Sequence, residues 1–525
     1  MQAIPASQHA ANTLQPPRRS LWPGVGSALL VVAAVSCRQT TEPARPQPAD
    51  PPPQPAAVVS ETWDAVFMGG THVGSVHTQI TRTSDTEPPM VTIVSRAQLA
   101  ISRFGNVTTM QLVNQSVETG DGTVRSFSQR TESGVSTLIL EGRVEGERAY
   151  LTHHTAGKET TSELAWSADQ GGFFAVEESL RRAPLRPGET RTVSLLMPGL
   201  AGAQLATATL EAQQVETTRL LEGSRDLLRI KQTVHTESLS LDGVCWTDEQ
   251  GEIIKSQLPD LQHETFRTSR ERALATGDSH DFDLGFDTIV RVASPLPRPH
   301  ATRQVVYEAT LQHGNPVEVF ASGTAQHVEP LDAQRARITV RALRPDLPTD
   351  DAFEQPPTDA ERLPNNLIQS DDQRVIQIAN GVAAEATDPW QICLALEQWV
   401  HAGIENKNFS QGFATAADVA QSLEGDCTEH AVLLAALCRA RQIPARVCVG
   451  LVYSPGDQGF AFHMWNEVWI TGRWIPLDAT LGLGGIGGGH IKLRHSDLSA
   501  DQAESAVMSV LQVMNQLALQ IVDVQ

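Results

Sequence analysis

From about residue 58 to about residue 290 the chain is a succession of short apolar runs, among them 91–94, 135–140 and 227–234, separated by clusters of Gly, Asp, Ser and Thr. Runs of this length bounded by turn residues belong to strands, because an amphipathic helix needs a longer 3.6-residue period. The segment 63–80 reads as two strands around Met68, Gly69 and Gly70, and further turn signals stand at 120–122 and 248–251. One helix is expected near 174–182. Composition agrees: 31 prolines and 38 glycines against 5% aromatic residues suit a turn-rich β body better than a helical bundle. His153 and His154 lie in this region with no third ligand at metal-site spacing, and read as a surface pair.

The length of 525 residues implies several domains. With 40 Lys plus Arg against 61 Asp plus Glu, the formal charge is −21, which repels phosphate backbones and argues against a nucleic-acid partner. Residues 1–36 have the parts of a secretory signal: a polar start ending in Arg18 and Arg19, an apolar stretch densest at 28–35, and small residues at its end. Residues 34–37 resemble a bacterial lipobox, which makes Cys37 the expected lipidation site. An uncleaved single N-terminal transmembrane anchor and ordinary secretion are the alternatives. Residues 37–57 follow as a linker, with seven prolines between 38 and 56, and read as an extended spacer holding the folded part off a membrane. The expected location is extracytoplasmic and membrane-anchored.

After the β-rich domain at 58–293, the prolines of 294–303 suggest a linker. Residues 304–345 suggest a small β module with strands near 305–311, 317–320 and 336–342. A helix is expected from Asp388 as N-cap and Pro389 at N1 to a terminator at Gly403, with Ile392, Leu394, Leu396, Trp399 and Val400 forming its apolar face. A C-terminal helix is expected over 496–525.

The chemistry concentrates in residues 413–490. Gly425 permits a sharp turn, Asp426 is a good N-cap and Glu429 completes a capping box, so Cys427 falls at the first position of an apolar helix. A thiol there faces unpaired N–H groups and the positive end of the helix dipole, which favour the nucleophilic thiolate. Further on, 462–470 and 473–480 flank a tight turn at Thr471 and Gly472. Pairing Ile470 with Arg473 sets His463 opposite Thr480 and Trp465 opposite Asp478. His463 and Asp478 then share a face as diagonal neighbours about 7–8 Å apart at the backbone, close enough for their side chains to meet. The other cysteines, Cys245, Cys393, Cys438 and Cys448, read as core thiols. The glycines of 482–489 lack the strand–loop–helix setting and the lysine of a phosphate cradle, and read as a connector or substrate loop.

The ordered motifs GDCTEHA, FHMWNEVWI and WIPLDAT resemble the core of the transglutaminase-like superfamily. The resemblance implies an α+β, papain-like domain over about 366–495, with helices packed on an antiparallel sheet. It implies Cys427 as nucleophile, His463 as its base and Asp478 as the orienting carboxylate. The Cys427 amide would supply part of an oxyanion hole, with Asn408 or Gln411 as possible second donors, and Trp465 either walls the site or packs in the core. His430 borders the site or serves a structural hydrogen bond. No cofactor or metal is implied. The expected function is a cysteine-dependent enzyme acting on amide bonds of a protein or peptide, with hydrolysis favoured over acyl transfer to amines. A protein-glutamine transglutaminase and a non-catalytic cell-envelope binding or scaffold protein are the alternatives.

Overall fold

In the computed structural model the described residues are 57–83, 87–134, 136–155, 158–199, 203–236, 240–275, 282–347, 354–405 and 414–525. The signal at 1–36, Cys37, nearly all of the linker, Asn408 and Gln411 lie outside them. No helix among the described residues is long and apolar enough to cross a membrane.

The β-rich region folds as one antiparallel sheet of 14 strands. Its first eight strands run in sequence order from one edge to Ala57–Met68, which pairs with His263–Thr268, the last strand of the second half. The two halves curl around the segment that joins them. Phe127, Leu140 and Leu151 of the first half pack with Leu196 and Ala203 of the second, around Trp166 and Phe173. The expected helix is Ala175–Arg182, which buries Val176 and Leu180 against Leu195, Leu210, Ile230 and Cys245. His153 and His154 are not a matched surface pair: strand alternation buries the first and leaves the second half-buried.

The C-terminal region is built on a second antiparallel sheet, in the order Val290–Arg291, Gly459–Ile470, Ala445–Ser454, His490–Ser496, with Arg473–Leu477 paired to Gly459–Ile470. One face carries helices, chiefly Cys427–Ala440, and shares their apolar core. The other face packs Leu451, Tyr453, Phe460 and Ile491 against a third sheet, to which Val305, Tyr307, Ala309 and Leu311 point inward from the alternating strand Gln304–Leu311.

Three expectations need correction. Residues 316–319 form a single helical turn, Pro316–Val319, because Asn315 caps it and Pro316 occupies its first position. The C-terminal segment is helical only over Ala500–Leu511; Leu517–Val524 is a strand pairing with Gln304–Leu311, so the small β module is completed from the far end of the chain. Residues 294–303 are not a free linker. Leu296 N donates to Tyr453 Oη at 3.0 Å and Gly489 N donates to Pro299 O at 2.9 Å. A Cβ on Gly487 would lie 2.7 Å from the His300 carbonyl carbon, so glycine is what admits this approach.

Candidate active site

The cysteine helix begins as its capping residues dictate. Asp426 Oδ1 accepts from Thr428 N at 2.8 Å, and Glu429 Oε2 accepts from Asp426 N at 2.9 Å, closing the capping box. Gly425 has φ +144°, and a Cβ there would sit 2.4 Å from the Glu429 side chain, so glycine is required for the box to close. Thr428 to Arg439 are buried, whereas Cys427 is half-buried at the tip. As the first helical residue, Cys427 has an amide outside the i→i−4 ladder. The other four described cysteines are buried free thiols. Burial pushes the Cys245 thiol up to about 12, so it is unreactive.

His463 stands on the strand Gly459–Ile470, next to the cysteine helix. Asn466, three residues on and fully buried, donates from Nδ2 to Ala431 O at 2.8 Å and ties this strand to that helix. Ile470 pairs with Arg473 across the expected turn, but the ladder ends at Asn466 and Leu477. Asp478 therefore leaves the strand instead of pairing with Trp465, and its carboxylate still reaches the ring: His463 Nε2 lies 2.8 Å from Asp478 Oδ2. The Cys427 thiol acts on the same imidazole and raises it further. Burial opposes a charge on His463, but Asp478 and Cys427 outweigh it and hold the ring at about 10. Burial likewise opposes a charge on Asp478, yet His463 and His490 hold its carboxyl well below the usual range. The arrangement is an imidazolium held between a sulfur and a buried carboxylate.

Two groups that shape this cluster escaped the sequence reading. His490 Nε2 lies 3.0 Å from Asp478 Oδ2, so one carboxylate oxygen takes hydrogen bonds from two imidazoles. Burial pushes His490 below its ordinary value, which keeps it neutral and makes Nε2–H the donor. The run 482–489 is the connector that delivers it from Asp478, and a histidine closing such a run was the available signal. Glu397, on the helix Pro389–Gly403, accepts from Asp478 N at 3.2 Å and Gly484 N at 2.9 Å. Burial pushes it up to about 7. Its i+4 spacing from the buried Cys393 marked it as inward-facing.

Trp465 is buried, stacked 6.3 Å from the His463 ring and edge-on to His490 at 5.2 Å, so it packs beneath both imidazoles. His430 Nδ1 lies 2.6 Å from Asp426 O, a structural bond at the helix start. Among the described residues, His463, Asp478 and His490 are the side chains gathered closely enough to hold a metal ion; here their facing atoms are joined by hydrogen bonds. Behind the site, Glu467 bonds Arg446 at 2.6 Å and Lys492 at 2.6 Å, all three buried.

Residues 376–479 match the family model of the transglutaminase-like superfamily. No curated protein matches the chain in sequence. Among solved structures, a candidate cysteine protease from Cytophaga hutchinsonii is 17% identical, covering 43% of this chain and 89% of its own, with a TM-score of 0.29. A β-barrel-like protein of a domain family of unknown function from Brucella abortus is 10% identical, covering 41% and 98%, with a TM-score of 0.28. A candidate protease from Parabacteroides distasonis is 11% identical, covering 71% and 68%, with a TM-score of 0.19.

Proposed function

We propose that this chain, whose residues 376–479 form a transglutaminase-like domain, is a cysteine-dependent enzyme that cleaves amide bonds of a protein or peptide through a thioester. The observation that carries this reading is the half-buried Cys427 at a helix N-terminus, acting electrostatically on an imidazole that a buried carboxylate 2.8 Å away holds charged. In the proposed cycle the charged His463 already carries the thiol proton, and the Cys427 sulfur attacks the carbonyl carbon as a thiolate. The Cys427 amide donates to the oxyanion as it forms. Collapse expels the amine, which takes the proton from His463, and leaves the acyl group on sulfur. Water, deprotonated by His463, then releases the acid and restores the thiolate beside the charged ring. Asp478 stabilises the imidazolium and fixes its orientation, without taking its proton.

Hydrolysis is favoured over aminolysis because water needs no holding site of its own, whereas an acceptor amine must be gripped beside the thioester. Incubation with a glutamine peptide and a labelled primary amine tests this. Ammonia or peptide release with little label incorporated is expected; dominant incorporation would instead establish a transglutaminase. Cys427→Ala that stays folded with undiminished turnover would refute the cysteine mechanism. We further propose that Cys37 carries the lipid and that the enzyme works outside the cytoplasm, attached to a membrane. Mass spectrometry of the mature N-terminus checks this.

A further inference from the structure

We infer that Arg103, at the tip of a hairpin from the large N-terminal sheet, is a positioning residue of the active site: it neutralises the Asp426 carboxylate beside the nucleophile and thereby keeps Cys427 reactive at neutral pH. This rests on the assignment of Cys427 as nucleophile.

Asp426 precedes Cys427 directly, and its side chain is wholly buried. Its Oδ1 caps the helix through Thr428 N. Its Oδ2 faces Arg103 Nη1 at 3.2 Å, across from a strand more than three hundred residues earlier in sequence. A bare carboxylate here would place negative charge against the developing thiolate and oppose the helix end that favours it. The neighbouring Glu429 does not add a full second charge, because burial and Asp426 push it up to about 8. The Arg103 guanidinium is placed to balance the Asp426 carboxylate. The other titratable groups around the start of the cysteine helix are His430 on it, Glu424 before it, Glu397 on the helix Pro389–Gly403, and His463, Asp478 and His490 on the sheet side.

The hairpin is held in place independently of this ion pair. Asp283 accepts from Ser102 Oγ, Phe104 N and Gly105 N, each at 2.8 Å, across the turn between Met90–Arg103 and Asn106–Thr119. The chain after Asp283 forms a helical turn and then pairs Val290 with Phe460 on the histidine strand. One hairpin is thus fastened to both the element bearing Cys427 and the element bearing His463. The N-terminal sheet supplies a charge to the site and is more than an appendage to it.

The test measures the rate of carbamidomethylation of Cys427 by iodoacetamide against pH in the full chain, read by mass spectrometry. In Arg103→Gln the profile should move to higher pH and the rate at pH 7 should fall about tenfold, the order expected for one uncompensated charge near the sulfur. Arg103→Lys should restore most of the rate. The double variant Arg103→Gln with Asp426→Asn replaces the ion pair by a neutral pair and keeps a good N-cap. It should return the profile to within about twofold of wild type. An unchanged profile in Arg103→Gln, or a double variant no better than Arg103→Gln, overturns the inference. If Arg103→Gln does not fold, the Arg103→Lys and double-variant profiles decide it alone. Wild-type Cys427 that resists labelling near neutral pH would instead overturn the proposed enzyme.

Discussion

Replacing Asp478 by Asn removes one charge while keeping the shape of the side chain. His463 lies where burial alone would drive it below 6.5, yet it stands at about 10, with Asp478 first and Cys427 second among the groups that raise it. That rise, from 6.5 to about 10, corresponds to about 5 kcal/mol favouring the charged ring. With only Cys427 left to oppose burial, the ring should titrate near or below 6.5 and be neutral at pH 7.5. The measurement is a histidine-selective NMR titration from pH 5 to 10.5, with the His463 signal assigned by its loss in His463→Gln. Turnover should fall by about 10³–10⁴-fold, because a neutral ring in the wrong tautomer no longer holds the sulfur. Linkage adds a stability test. A folded value above the unfolded one means that His463 stabilises the fold fully below pH 6.5 and loses this as pH rises towards 10, at up to about 1.4 kcal/mol per unit. Asp478 has the opposite sign: its depressed value stabilises above about pH 3.8 and is lost as pH falls below that. Asp478→Asn should flatten both slopes. A His463 titration unchanged in Asp478→Asn would refute the argument that this carboxylate holds the charge.

His490→Gln should slow turnover about tenfold and destabilise the fold by about 1–3 kcal/mol, since the buried Asp478 oxygen loses one of two imidazole donors; kcat and denaturant melts read the two effects. Glu397 and Glu429 are held at about 7 and about 8. Each therefore stabilises the fold most below its unfolded value near 4.5 and loses that contribution as pH rises through its folded value. The thermal midpoint of Glu397→Gln should accordingly depend less on pH between 5 and 7 than that of wild type. Glu467→Ala strands Arg446 and Lys492 as buried unpaired cations and should cost about 3–5 kcal/mol, measured by urea unfolding.

The cysteine helix was legible in the sequence because its determinants are local. Gly425, Asp426 and Glu429 lie within five residues, and a capping box depends on backbone geometry that such a span already contains. The hairpin carrying His463 was legible for the same reason: the turn at Thr471 and Gly472 sets the register at Ile470 and Arg473. The single-turn helix at Pro316–Val319 was misread because an apolar run of four suits a strand as well as a helical turn, and the cap at Asn315 decided it.

Long-range contacts had no such signal. Which strand completes the small β module depends on the last residues of the chain returning to Gln304–Leu311, hundreds of positions away. His490 joins Asp478 only because a glycine run threads between Pro299 and the sheet. Arg103 meets Asp426 only because Asp283 bends its own hairpin towards the histidine strand. The amino-acid order alone therefore determined the capped helix that begins at Cys427 and the turn that sets the histidine strand in register, since hydrogen bonds and side-chain period act over a few residues. Tertiary packing decided how many groups share the Asp478 carboxylate and which charge balances Asp426, because Coulomb forces depend on distance in space and not along the chain.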